Sequence, residues 1–300
     1  MIVGRRLLTY EAMRATVEPP VVQLDTWVIE PRGESLVTRL REIWRYRRLL
    51  RFFAAKSLSK LYKRTVLGAA WIFIRPLFPL LVNTLIFGGV LGVGSNGVPY
   101  FLFLSCGSTL WDLFSQAVTW GTRSLELNRG FMSRIYVPRL ILPIATVTPA
   151  YINLAINLGV FFFAIGYYRV TTGVLYWTPW NTGSAVFGLV LASFLALGLT
   201  LWTSVPGMQA RDVRFTMSYV LGFWLFLTPV LYPLNTNSKY AWLLALNPMA
   251  APVNGFKHGL LGIGTVSLRD WVISTVETAI VLVSGLSFFA RAEADAIDKA

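Results

Sequence analysis

Six stretches of this chain are apolar for about the 20 residues that a helix needs to cross the hydrocarbon of a bilayer. They run over roughly 69–93, 98–121, 137–168, 181–206, 216–234 and 269–290. Inside a bilayer no water satisfies backbone N–H and C=O groups, so a spanning segment must be a helix or part of a closed barrel. The residue-by-residue alternation of barrel strands is absent, which leaves helices. The third stretch is too long for a straight crossing and must tilt or extend past the hydrocarbon. Composition agrees: 55% of the 300 residues are hydrophobic and 14% are charged, against about 25% charged in soluble domains. Mean hydropathy is +0.58. The expectation is an all-α integral membrane protein with six transmembrane helices.

Lys and Arg gather on one side and set the orientation. Residues 39–64 hold ten of them against one acid, Glu42. Arg123, Arg129, Arg134 and Arg139 lie between the second and third stretches, and Arg211 and Arg214 between the fourth and fifth. The opposite connections hold few: none in 94–97, Arg169 alone in 169–180, and Lys239 and Lys257 in 235–268. Both termini are therefore expected in the cytoplasm. The net charge of +13 comes from this clustering beside apolar runs, so no nucleic-acid partner is expected.

Residues 1–38 read as a cytoplasmic N-terminal extension. They are polar, carry Pro19, Pro20 and Pro31, and lack the apolar core of a cleavable signal peptide. Residues 39–64 follow as an amphipathic helix. Tyr46, Leu49, Leu50, Phe53, Ala54, Leu58, Leu61 and Tyr62 recur at helical spacing, with Arg47, Arg48, Arg51, Lys60 and Lys63 largely on the other side. That pattern suits a helix lying in the cytoplasmic interface against anionic membrane lipid, or one packed on another subunit. The six-span domain occupies 65–290 and a cytoplasmic tail 291–300.

Residues 235–268 differ from the other connections. They are mostly apolar, yet broken by Asn247-Pro248, Pro252, Gly255, Gly259, Gly262 and Gly264. The run "YAWLLALN" is far too short to span. A re-entrant helical pair between spans five and six fits, dipping into the outer leaflet and returning under cover of protein. The residue before a proline disfavours the α region, so Asn247-Pro248 marks the break in that pair.

Much chemistry is excluded. No G-x-x-x-x-G-K-[ST] occurs, so the chain does not bind ATP through a P-loop. One cysteine, Cys106, excludes an internal disulfide and any multi-cysteine metal site, and the one histidine, His258, has no acid or Cys near it. No metal and no bound cofactor are expected. Asp112 and Glu277 are the acids within spans. Neither has a second acid at helical spacing, so no acid/base pair and no catalytic residue are assigned. Each reads as the structural partner of a basic group or as the lining of a pathway. A membrane glycosyltransferase using one carboxylate is the enzyme alternative. Aromatic residues make up 14% of the chain. Many, such as Trp71, Trp111, Trp177 and Trp224, lie near span ends as an interfacial belt. A ring within a span also offers a flat face on which a sugar can stack.

Six motifs stand in order along the chain. "VIEPRGE" (28–34) with "LREIWRYRRLLRFF" (40–53) leads in, and "YKRTVLGAAW" (62–71) is followed by Pro76. Then come "NRGFMSRIYVPRLILP" (128–143), "ARDVRF" (210–215), "FWLFLTPVLYPL" (223–234) and "LLALNPMAAPVNGFKHGLLG" (243–262). Together they resemble the permease subunits of ATP-binding-cassette polysaccharide exporters of the type-2 export superfamily, which includes O-antigen and teichoic-acid exporters. The resemblance covers about residues 25–295. The chain departs from it at Lys56-Ser57, where the family usually has an Arg-Asp pair. It departs again at Arg75, where an uncharged polar residue or an acid is commoner.

The resemblance implies a permease homodimer in the bacterial inner membrane, with two ATPase subunits that bind ATP and Mg. It implies a polyprenyl-diphosphate-linked glycan as cargo; a drug or lipid is the alternative cargo within the superfamily. It implies a coupling helix at 124–136. There Glu126, Asn128, Arg129 and Arg134 can pair with charges on the ATPase, while Phe131 and Met132 form an apolar plug. Arg211 and Asp212, in the shorter 207–215 connection, support it. Residues 235–268 would close the exit, with Asn247, Pro248 and Phe256 as outer-gate residues. Trp71, Arg75 and Asp112 are the candidate pathway residues. Arg75 lies about 9 Å into the first span, six residues after Ala69. Its guanidinium either snorkels back to the cytoplasmic headgroups or faces the dimer cavity and grips the carrier diphosphate in a bidentate fork.

Overall fold

The computed structural model describes residues 44–62, 71–132, 134, 137–234 and 246–297, all within one compact unit. Every regular element among them is helical. Arg47–Tyr62 forms α1, and Trp71–Asn83 forms α2, which runs on into a π-helical stretch, Thr84–Val90. Then follow α3 (Tyr100–Thr122), α4 (Ser124–Met132), α5 (Ile141–Thr146), α6 (Thr148–Thr172), α7 (Thr182–Gln209), α8 (Arg211–Leu227), α9 (Ala250–Leu261) and α10 (Leu268–Ile297). The expected N-terminal extension and the first half of the re-entrant pair lie outside the described residues.

Each apolar stretch contains a helix, and among the described residues three are long and apolar enough to cross a bilayer: Ile141–Thr172, Pro179–Gln209 and Leu268–Ala292. The others are special. In α2, Pro76 and Pro79 lie inside the helix, and each removes an amide from the ladder and frees a carbonyl one turn back. The helix widens soon after, at Thr84. α3 has 23 residues, but Ser105, Ser108, Thr109, Asp112, Ser115 and Gln116 lower its hydropathy. It is the hub of the bundle, burying Leu102, Phe103, Leu110, Phe114 and Val118 against α6, α7, α8 and α9. Helices in lipid gain little from hydrophobic exclusion, so close backbone approach holds them together. On α7 a Cβ at Gly198 would lie 2.9 Å from the Leu282 backbone of α10, so only glycine lets these two helices meet.

Several boundaries differ from the sequence reading. The third stretch is two helices, α5 and α6, which meet at Val147; Pro149 in the first turn of α6 ends the earlier ladder. The 207–215 connection is not a loop. α7 runs to Gln209, α8 begins at Arg211, and Ala210 alone is extended, at φ −126° and ψ 131°. Asp212 suits the positive end of a helix dipole, and Arg214 donates to the Gly207 carbonyl at 2.7 Å, closing the end of α7. The fifth stretch stops being helical at Leu227 rather than 234, just before Pro229. The expected tail at 291 continues α10 as far as Ile297.

The amphipathic pattern of α1 has a partner that the sequence reading did not weigh, which is the chain itself. Leu49, Leu50 and Phe53 pack with Leu125, Leu140, Leu142, Leu201, Val205 and Phe289, while Arg47, Arg48 and Arg51 remain exposed. This cluster marks one end of the bundle. Arg123, Arg129, Arg134, Arg211 and Arg214 lie on the connections there, so it is the basic end.

Candidate functional site

Polar side chains inside an apolar bundle are costly unless they meet one another or water. Three helices here solve that jointly. On α3, Ser108, Asp112 and Gln116 recur every four residues, so they share one face. On α6, Asn153 and Asn157 do the same. On α2, Trp71, Arg75, Pro79 and Asn83 form a third stripe. The stripes converge on a cavity of about 620 Å³ that Trp111, Leu225 and Leu231 complete. The Asn157 amide donates to the Asp112 carboxylate at 3.1 Å, and the Asn153 amide donates to Gln116 one turn away. Two rungs thus tie α3 to α6 along the cavity wall. Arg75 supplies the one basic group among the described lining residues, and the Trp71 and Trp111 rings supply flat apolar faces.

Trp71 and Arg75 of α2 therefore share one cavity with Asp112 of α3. Sequence reasoning missed Gln116, Asn153 and Asn157. Their signal was available: amides four apart inside apolar runs have no reason to be there for packing alone. Glu277 is not part of this cavity. One of its oxygens is buried without a hydrogen-bond partner among the described residues.

The far end carries a second constellation. After α8 the chain turns through residues 228–231, which are nearly sealed from solvent: Thr228 and Val230 at 0% and Leu231 at 4% exposure. Carbonyls that leave a helix in such a place need donors. Asn247 Nδ2 donates to the Leu227 carbonyl and to Thr228 Oγ1, each at 3.0 Å. Tyr100 Oη donates to Leu231 at 2.6 Å. Lys257 Nζ donates to Pro229 at 2.7 Å and Val230 at 3.0 Å. Asn247 Oδ1 accepts from Trp224 Nε1 at 2.9 Å and from the Met249 amide at 3.0 Å, fixing the turn that starts α9. Pro248 is half-buried beside it, and Phe256 is buried in the core. Trp224 also meets Phe114 edge-on, and Phe114 meets Trp111, so rings in contact join this turn to the cavity wall. Lys257, counted in the sequence as a loop charge, is 2% exposed.

At the basic end the expected coupling residues divide. Arg129, Arg134, Arg211 and Asp212 are exposed. Asn128 is not available to a partner: it is 4% exposed and accepts from Lys56 Nζ at 2.9 Å. Phe131 is 36% exposed and also engaged within the chain. Its ring packs edge-on against Phe52 and Phe53 of α1, and the Lys56 ammonium stands 3.6 Å from its centroid. Met132 packs on the same cluster. Glu126 pairs with Arg214 at 3.0 Å and Arg123 at 3.7 Å. α4 thus spends Asn128 and Phe131 on side chains of α1, and Glu126 on Arg214 of α8.

The cavity is a polar, ring-lined hollow set within helices of apolar outer face. The class is a membrane transport subunit. The chain belongs to the ABC-2 type transporter family, which it matches over residues 48–261. It is similar to the O-antigen export system permease protein RfbA of Myxococcus xanthus, at 27% identity over 227 residues that cover 74% of this chain and 84% of that protein. The match and the motif resemblance agree on the same superfamily.

Proposed function

We propose that this chain is the transmembrane subunit of an ATP-driven exporter that carries a polyprenyl-diphosphate-linked polysaccharide, of the O-antigen kind, across the bacterial inner membrane. The observation that supports it most is the cavity lining. Amide and carboxylate groups match sugar hydroxyls, which both donate and accept. Indole faces stack on the apolar side of a sugar ring, and a guanidinium suits a phosphate. An apolar drug would offer nothing to the donors and acceptors that the two rungs leave over, which disfavours a drug cargo. A single carboxylate without an acid partner disfavours a glycosyltransferase.

In this reading the basic end faces the cytoplasm and the 246–268 end faces outward. Two copies assemble with two ATPase subunits that bind ATP and Mg. The exposed Arg129, Arg134, Arg211 and Asp212 meet the ATPase, and α1 and α4 move together because Phe131 and Asn128 bind them. Arg75, lining the cavity with Asp112, meets the diphosphate of the entering carrier.

The test is export in cells that lack the native chain. Asn157→Leu and Trp71→Ala are expected to lower surface glycan severalfold while ATPase co-purification persists. Arg75→Lys and Arg75→Gln are expected to do likewise. Parental export by Arg75→Gln would leave that charge as a snorkelling anchor only. Unchanged surface glycan in cells deleted for the chain would reject the cargo reading itself.

A further inference from the structure

We infer that Lys257 is the latch of the exit: its ammonium seats α9 on α3 and on the unwound end of α8, and the exit opens when α9 withdraws it. This rests on the reading of residues 246–268 as the outward side.

The position is built for a cation. The side chain crosses from α9 to two other elements. Its ammonium reaches the Pro229 and Val230 carbonyls and stands 3.4 Å from the centroid of the Phe103 ring on α3. α3 makes room for the stem at Gly107, where a Cβ would lie 2.6 Å from Lys257 Cε. No carboxylate among the described residues forms an ion pair with it. A buried cation matched only by dipoles and a ring is a poor choice for stability alone, since an apolar residue of like volume avoids the desolvation. It is a good choice for a contact that must break. Once clear of the carbonyls the ammonium is hydrated, whereas an apolar anchor would meet water unfavourably.

The latch also touches the pathway. Its two carbonyls immediately precede Leu231, which lines the cavity, and Gly107 immediately precede Ser108, another lining residue. Withdrawal of Lys257 therefore releases part of the cavity wall as well as α9.

The chain carries its own reporter. Cys106, the only cysteine, is 0% exposed, and its Sγ lies 3.9 Å from the Phe256 carbonyl of α9. The test uses the full complex in right-side-out vesicles loaded with ATP or without it, and a small impermeant methanethiosulfonate outside. Cys106→Ser vesicles give the background. Without ATP, Cys106 is expected to stay protected. During turnover it is expected to label about tenfold faster, as a segment that opens locally without global unfolding. Lys257→Ala, which removes the ammonium and its stem and leaves the two carbonyls unpaired, is expected to label at the fast rate with no ATP. Labelling equally slow with and without ATP while export proceeds overturns the latch. So does Lys257→Ala that exports at the parental rate with Cys106 protected at rest. If Lys257→Ala does not assemble, the ATP dependence in the parental chain decides alone. Labelling needs no glycan, so an ATP-dependent thiol keeps the latch even where glycan export is absent. Glycan export with a silent thiol keeps the cargo reading and removes the latch.

Discussion

At the basic end, α1, α4 and α8 are tied by charged groups that lie partly in water, such as Arg214 on Glu126 and Lys56 on the Phe131 ring. At the end that carries 246–268, the ties are sealed from water and run from side chains to main-chain carbonyls. The contrast concerns what happens when a tie breaks. Water replaces a lost partner at the first end, so the contacts can loosen by degrees. At the second, an unpaired carbonyl has no replacement, so the contacts hold together or fail together. A graded end suits reception of a signal, and an all-or-none end suits closure.

The comparison breaks most visibly at Asn247. Asn247→Ala removes four contacts at one sealed turn, and a loss of roughly 3 kcal/mol is expected from the groups left unpaired. Thermal unfolding of the detergent-purified complex measures it. Asn247→Asp, which keeps the two acceptor contacts, is expected to recover part. Parental melting of Asn247→Ala would mean that the far end is no more cooperative than the near one.

Phe131→Ala comes next. It removes two edge-on ring contacts and a cation–π contact at a half-wet site, worth about 1–2 kcal/mol together. It should free α1 from α4 and lower ATPase co-purification without lowering expression. Full assembly and export in that variant would show that α1 and α4 need not move as one.

The smallest effect sharpens the contrast through salt. A double-mutant cycle on Glu126→Gln and Arg214→Gln is expected to give a coupling of about 0.5 kcal/mol, because the pair is partly solvated. It should fade at high ionic strength, while the melting deficit of Asn247→Ala stays unchanged. A salt-insensitive coupling would place the near end in the same class as the far one.

Helix positions were legible where apolar length alone decides them, as for α7 and α10. Boundaries failed where polar residues start a helix. Arg211, Asp212 and Arg214 read as a loop because charge suggested solvent, yet they open α8. Pathway residues were half legible: Arg75 and Asp112 stood out as charges in apolar runs, while Gln116, Asn153 and Asn157 carried no charge to draw attention. Lys257 was not legible as a buried group. Its burial depends on Phe103 and Gly107, which no local pattern links to it.

Only Ala210 separates α7 from α8, and Arg214 closes that corner on Gly207 across seven residues. So local a contact loses little chain entropy on forming, and it can form as soon as α8 is synthesised. Lys257 must instead find Pro229 across 28 residues and Phe103 across far more. Because synthesis runs from the N-terminus, the bend at Ala210 can be fixed in the nascent chain well before the seal around Lys257. A ribosome-stalled chain ending before α9 should already resist trypsin at Arg211 and Arg214. Rapid cleavage there would mean that the bend waits for the rest of the bundle.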